Sequence, residues 1–343
     1  MELTPRKKAI IAEIVKAHIE TGEPIGSKIL ATRLQGAPSS ATLRSEMSDL
    51  TEMGYLEQPH TSAGRQPTPK AYRLYVTELM GRRDLSSDRK EIIDSMLDTV
   101  RPDPESLGAS AAEILSSLTG LPAISASAVD MAVRLRKVSL LPLSRGSAVV
   151  FVIADDGRSR SRLVRSNTPL TQDLAIRFDN LVREKVCGLE VSALDMAYLQ
   201  SIVVSAGLDA LSLAPFLSAA FDMAKELRGS RVSLGGTANL FSLCRADEDA
   251  KKIIDLLGTS DAVQSIFSGV SGPLGVVFGD DTDYSVLKPT GLVVASYGDT
   301  RELGRIAVLG PTRMAYDSIL PTAQYLAQRV GSIMTEVLKG LEE

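Results

Sequence analysis

Apolar residues recur at helical spacing through the opening of the chain. Ile11, Ile14, Val15 and His18 fall on one stripe, the recurrence of a helix with one buried face. Pro5 suits the first turn, where a missing N–H costs nothing, and Gly22 supplies a stop. A short second helix is expected from a Ser27 cap to Leu34. Gly36-Ala37-Pro38 then forces a turn, and Ser39 or Ser40 caps a third helix running to about Met53. Its apolar stripe is Leu43, Met47 and Leu50; Ala41, Ser45 and Ser48 lie opposite, flanked by Thr42 and Arg44. After Gly54, YLEQPHTSAGRQPTP reads as two short extended segments around a Thr61-Ser62-Ala63-Gly64 turn, with prolines suited to a solvent-facing edge. This is a wing.

From Lys70 to Met80 another helix packs with Tyr72, Leu74, Tyr75 and Leu79, and Arg82-Arg83 followed by Ser86-Ser87 marks a boundary. A linker helix follows, with Ile92, Ile93, Met96, Leu97 and Val100 at helical spacing, until Arg101-Pro102-Asp103-Pro104 breaks it. A helix around Ile114, Leu115 and Leu118 precedes strand-like segments at 137–143, 148–154 and 161–165, with Asp156-Gly157 as a hairpin signal. Helical stretches occupy about 171–186 and 194–227, strand-like ones recur at 274–278, 291–297 and 305–309, and a last amphipathic helix carries Leu326, Val330, Ile333 and Val337. Strands separated by a long helix-rich middle predict an α+β domain with an insertion.

Composition sharpens this picture in two places. With 343 residues and 44% hydrophobic content, the chain is long enough for two or three cores. The net charge of −4 hides an asymmetry: residues 1–83 hold 12 Lys+Arg against 9 Asp+Glu, a net of +3, so the remainder carries −7. A basic head on an acidic body fits a DNA-reading domain joined to an assembly or regulatory one. No apolar run reaches the roughly 18 residues of a membrane span, and Cys187 and Cys244 stand far apart without histidine at ligand spacing. A soluble, cytoplasmic protein without metal or cofactor is expected.

A helix-turn-helix sets the start of its second helix against base edges. Ser39, Ser40, Thr42, Arg44 and Ser45 occupy that position, and Arg44 has the fork that guanine accepts bidentately. The wing brings Arg65 and Lys70 toward phosphates or the minor groove, and His60 sits at its base. SSATLR also reads simply as a capped amphipathic helix; the three-helix order followed by a wing favours the DNA-binding reading.

The segments GEPIGSKILATRL, PSSATLRSEMSDLTEMGYLEQPHTSAGRQPTPKAYRLYV, GGTANL and GPTRMAY closely resemble the heat-inducible transcription repressor HrcA family. The resemblance runs along essentially the whole chain. It implies an α+β multidomain fold: a winged helix-turn-helix over 1–83, a linker helix over 84–104, a GAF-like domain from 105–187 and 269–343, and an inserted dimerisation domain over 188–268. It also implies repression of chaperone and chaperonin operons by a homodimer. The partner is double-stranded DNA bearing an inverted-repeat operator called CIRCE, and the chaperonin is a further candidate partner. Lys28 and Arg73, on the elements flanking the recognition helix and wing, complete the DNA-binding candidates. The family usually has an apolar or aromatic residue where Gln66 stands, glycine at Ala71, and often asparagine at Ser45.

Other candidates have plainer readings. His18 lies within an apolar stripe and reads as a core residue. Gly235-Gly236-Thr237-Ala238-Asn239 and the glycines at 269, 272, 275 and 279 match no phosphate-loop spacing and read as turns. Asp280, Asp281 and Asp283 read as a solvated acidic loop. No nucleophile elbow, HExxH or kinase signature is present, and two histidines leave little for acid–base work, so an enzyme is not expected. Two other classes stand beside the repressor: a regulator whose GAF-like domain senses a small molecule, and a DNA-bridging protein with little sequence preference.

Overall fold

The computed structural model describes residues 3–34, 36, 38–60, 63–81, 84–128, 133–227, 231–244, 246–288, 290–299 and 302–342. The head begins with α1 (Pro5–Thr21), α2 (Ser27–Arg33) and α3 (Ser40–Glu52), followed by β1 (Leu56–Glu57) and β2 (Gln66–Pro67). Thr4 caps α1, Pro5 opens it and Gly22 ends it. Ser27 is not the cap of α2; Gly26 is, without a side-chain bond, and the Ser27 hydroxyl instead meets that of Ser40 at 3.0 Å. The expected helix from Lys70 to Met80 is α4 (Pro69–Leu74) running into a π-helical turn over Tyr75–Leu79. Ala37, Thr61, Ser62, Arg82 and Arg83, which the expected turns and boundary include, lie outside the described residues.

Two connecting helices follow, α5 (Ser87–Leu97) and α6 (Pro104–Thr119). Ile93 and Leu97 of α5 are buried, but Ile92 is half exposed: adjacent residues on a helix point about 100° apart. Then come β3 (Ala123–Ser127), β4 (Leu135–Ser144), β5 (Ser147–Ala154) and β6 (Ser159–Arg165). Next are α7 (Gln172–Lys185), α8 (Met196–Ser205) and α9 (Ala210–Glu226); a 3-10 turn at Gly207–Asp209 divides the expected 194–227 helix. The chain closes with β7 (Val232–Gly235), α10 (Ala238–Leu243), α11 (Asp247–Leu257), α12 (Ser260–Ser268), β8 (Leu274–Phe278), β9 (Thr290–Tyr297), β10 (Gly304–Pro311) and α13 (Tyr316–Glu342). The whole is mixed α+β.

Among the described residues the body's strands form two sheets, one ordered β7-β3-β10-β9-β8 and one β4-β5-β6, with antiparallel pairing throughout. One face of the larger sheet, with Ala123, Val293, Ala295, Ile306 and Val308, joins α6, α13 and the head helices in a single core. Its other face, with Ile124, Val277, Leu292, Val294 and Leu309, is covered by α10–α12. The smaller sheet closes its own core with α7–α9, from Val133 to Leu227. The excursion from the larger sheet therefore runs from about 133 to 227, not over 188–268. Strands β4–β6 alternate like those of any sheet, so their sequence does not reveal that they pair only with one another; after them the chain returns to the larger sheet with β7 and with α10–α12, which cover it.

Candidate nucleic-acid interface

Helix α3 is fixed from behind by Leu43, Met47 and Leu50, all buried in the head's core. Two of its acidic side chains, Glu46 and Asp49, are held from behind too. Lys7, buried on α1, donates to Asp49 Oδ2 at 2.8 Å and lies 3.8 Å from Glu46 Oε2. The hydrogen bond to Asp49 holds that ammonium above its ordinary pKa of 10.5 against the opposing cost of burial. What α3 presents to solvent is Ala41, Thr42, Arg44, Ser45, Ser48 and, at its C-terminal end, Glu52; between Ala41 and Ser48 that face carries one guanidinium and no carboxylate. Ser39, the N-cap, accepts from Thr42 N at 3.2 Å and pairs with the Thr42 hydroxyl at 3.0 Å. The Ser40 hydroxyl is spent on Ser27, tying α2 to α3. Lys28, Arg44 and Ser45 are exposed and bond to no other described side chain.

The hairpin is held against this unit through its backbone. Ile25 and Arg65 exchange N–H···O bonds of 2.8 and 2.9 Å, and at Gly64 a Cβ would come within 2.4 Å of the Ile25 carbonyl carbon. Only glycine lets the two segments approach so closely. Arg65 Nε donates to Thr51 Oγ1 at 3.1 Å, so its guanidinium lies against the end of α3. Leu56 pairs with Pro67 and Glu57 with Gln66; Gln66 is accommodated by donating to Glu57 Oε1 at 2.6 Å, and Ala71 is fully buried. His60 is exposed, and its carbonyl accepts from Ala63 N at 2.9 Å.

Two of the expected DNA-binding cations point elsewhere. Lys70 donates to Met53 O at 2.9 Å and sits 4.3 Å from the Tyr55 ring centroid. It thus caps the C-terminus of α3, where a cation meets the negative end of the helix dipole. Arg73 turns toward the body, pairing with Asp281 and lying over the Phe278 ring. Lys28, Ser39, Thr42, Arg44, Ser45, His60 and Arg65 remain around the exposed face of α3 and the hairpin.

Sequence reasoning missed the junction between head and body. Tyr72 packs on Tyr316, with centroids 6.2 Å apart, and Tyr316 on Phe278 at 6.4 Å. The Tyr72 hydroxyl is 2.6 Å from His18 Nδ1. Burial pushes both tyrosine pKa values up; burial, then the nearby Arg313, pushes that of His18 down. The signal was present in GPTRMAY, which supplies Arg313 and Tyr316, and in the acidic loop, where Asp281 also accepts from Phe278 N at 3.3 Å. GGTANL is a packing device: Gly235 lies against the Ala112 backbone of α6, Gly236 has φ 61°, and Asn239 donates to Ser116 Oγ at 3.2 Å.

Among the described residues no group of three or more His, Cys, Asp or Glu could hold a metal ion, and no single helix is long and apolar enough to cross a membrane. A cavity of about 590 Å³ lies between α10–α11 and the larger sheet, lined by Leu240, Leu243, Ile253, Val286 and Leu309 with Lys252 and Thr290.

The family model described as HrcA protein C terminal domain matches residues 105–320. A curated heat-inducible transcription repressor HrcA from Acetivibrio thermocellus is 30% identical over 337 residues, 96% of either chain. Its counterpart from Clostridioides difficile is 32% identical over 336 residues, 95% of this chain and 98% of its own. A solved structure of a hypothetical protein, 21% identical and covering 98% of this chain and 99% of its own, superposes with a TM-score of 0.64 and shares the fold. The chain belongs to the HrcA family of heat-inducible transcription repressors.

Proposed function

We propose that the chain represses heat-shock genes by binding an inverted-repeat operator as a homodimer and occluding a promoter. In this reading α1–α3 and the β1–β2 hairpin are a winged helix-turn-helix, α3 enters the major groove, and the larger sheet with its helices is the GAF-like domain. The observation that carries it is the exposed face of α3. Between Ala41 and Ser48 its one ionisable group is Arg44, the exposed Glu52 standing at the far C-terminal end, while Lys7 draws Glu46 and Asp49 to the rear; such an N-terminal face approaches phosphates without repulsion and reads bases through guanidinium and hydroxyl groups.

An inverted repeat calls for a two-fold protein. The outer face of the smaller sheet offers the contact: Leu141, Leu143, Phe151 and Leu163 are 52%, 59%, 39% and 57% exposed, and Leu141, Val149 and Leu163 form one cross-strand row. Contiguous apolar surface of this kind marks an interaction site. Titrating the protein on operator and scrambled duplexes at fixed salt tests the reading, with a preference of at least about a thousandfold expected for a specific repressor. Equal affinity for both would leave a DNA-bridging protein. Repeating the titration across temperature, with and without chaperonin, separates unfolding from chaperonin loss as the route of release.

The cavity behind α10–α11 favours a second reading, a small-molecule sensor, because its volume falls in the range of ligand pockets. A thermal-shift screen with small metabolites tests it. A ligand that raises Tm and changes operator affinity supports the sensor.

A further inference from the structure

Arg73 and Tyr72 are consecutive residues of α4, directly after the hairpin, and both engage the body. Tyr72 belongs to the buried aromatic contact with Tyr316, inside a core shared by head and body without interruption. Arg73 lies at the rim of that contact. Its guanidinium is 5.5 Å from the Phe278 ring centroid and pairs with Asp281, a carboxylate anchored by its own loop through Phe278 N. The two partners are half exposed, at 50% and 40%, so the pair adds little to stability. Its position gives it a different use: aromatic packing is tolerant of rotation, and an oriented ion pair at the edge of such a contact selects one angle.

We infer that Arg73 and Asp281 are positioning residues that set the angle of the head on the body, and through it the separation of two half-sites that a dimer accepts. The inference rests on the operator-binding dimer proposed above. Two recognition helices fixed on one rigid dimer demand half-sites at one spacing, near a whole number of helical turns. Heads free to turn tolerate several.

The test uses the full-length protein and an inverted-repeat duplex selected from random sequence by the unaltered chain. Affinities are measured for that duplex, for one whose spacer is longer by half a helical turn, and for a single half-site. The unaltered protein strongly favours the selected spacing. Asp281→Asn should shrink that preference about three- to fivefold with half-site affinity unchanged. The exchange of Arg73→Asp with Asp281→Arg should restore it, and Asp280→Asn, an equal change of charge on an exposed neighbour, should leave it intact. A preference shrunk no more by Asp281→Asn than by Asp280→Asn overturns the inference while the dimer reading stands. If the unaltered protein binds the inverted repeat no better than one half-site, both fall together.

Discussion

Arg44 is an exposed guanidinium near the start of a helix whose nearer carboxylates, Glu46 and Asp49, are held on the far side by Lys7. Arg44→Ala should cost about 1–3 kcal/mol on the operator and relax base preference at one position of each half-site. Equal losses on operator and scrambled duplex would put a different side chain in the groove. Lys70 looks equivalent in sequence, but its ammonium already serves Met53 O and the Tyr55 ring. Lys70→Ala should therefore lower unfolding stability by about 0.5–1 kcal/mol and leave the salt dependence of DNA binding almost unmoved; a log–log slope shallower by about 1 per subunit would show that it contacts phosphate. His18 titrates inside the junction, facing Tyr72, Arg313 and Glu23. Its folded pKa lies below the ordinary 6.5 because of burial first and Arg313 second. The unfolded chain thus binds the extra proton over the interval between those two values, and stability falls as pH drops from about 6.5 through that interval. Denaturant unfolding from pH 7.5 to about 5 should show this loss, and His18→Gln, which keeps a hydrogen-bonding side chain without the titration, should flatten it. An unchanged slope in the variant would place the acid sensitivity elsewhere. Which residues face inward was legible, since Leu43, Met47 and Leu50 recur at helical spacing. Where Arg73 points was not, because Asp281 lies 208 positions away.

At the scale of elements, legibility followed the strength of local signals. Helices opened by Pro5 and Ser39 emerged within a residue or two of their expected starts, since caps act on their own backbone. Strands β3 and β7 went unseen: AISAS and VSLG are short, small and unpatterned, and they become strands through pairing, β3 with β10 and β7 with β3. The β1–β2 hairpin shows the same limit in miniature. TSAGR announced a turn, but Gly64 is required for a different reason, the approach of its Cα to the Ile25 carbonyl. Gly64→Ala must push apart the segments joined by the Ile25–Arg65 bonds. Overpacking of this sort costs about 1–3 kcal/mol, and it should also turn Arg65 away from Thr51 and weaken operator binding. Chemical denaturation together with operator titration checks both parts; wild-type stability with wild-type affinity would mean that the hairpin moves freely on the head.

Over the whole molecule, the sequence pattern supplied an α+β body with an insertion, but the span of 188–268 expected from the family resemblance differs from the excursion that strand pairing defines, because a sheet is defined by pairing and pairing partners leave no local mark. The corrected unit, from about Val133 to Leu227, has a closed core on one side of its sheet and apolar residues in water on the other. That asymmetry makes the proposed dimer testable by a substitution that spares the fold. Leu163 is 57% exposed in the single chain, so Leu163→Asp should change its stability by no more than about 0.5 kcal/mol. In a two-fold contact the same substitution enters twice and buries two carboxylates, which repel and lack partners. Dimer dissociation should rise by at least a hundredfold, about 2.7 kcal/mol, and operator affinity should fall to the level of a single half-site. Leu208, at the elbow between α8 and α9, is fully exposed and provides the comparison: Leu208→Asp tests the other apolar surface of the same unit with the same change of charge. Sedimentation of both variants over a range of concentrations decides between them. A dimer lost only in Leu163→Asp assigns the contact to the sheet face, and a dimer lost only in Leu208→Asp moves it to the helical elbow.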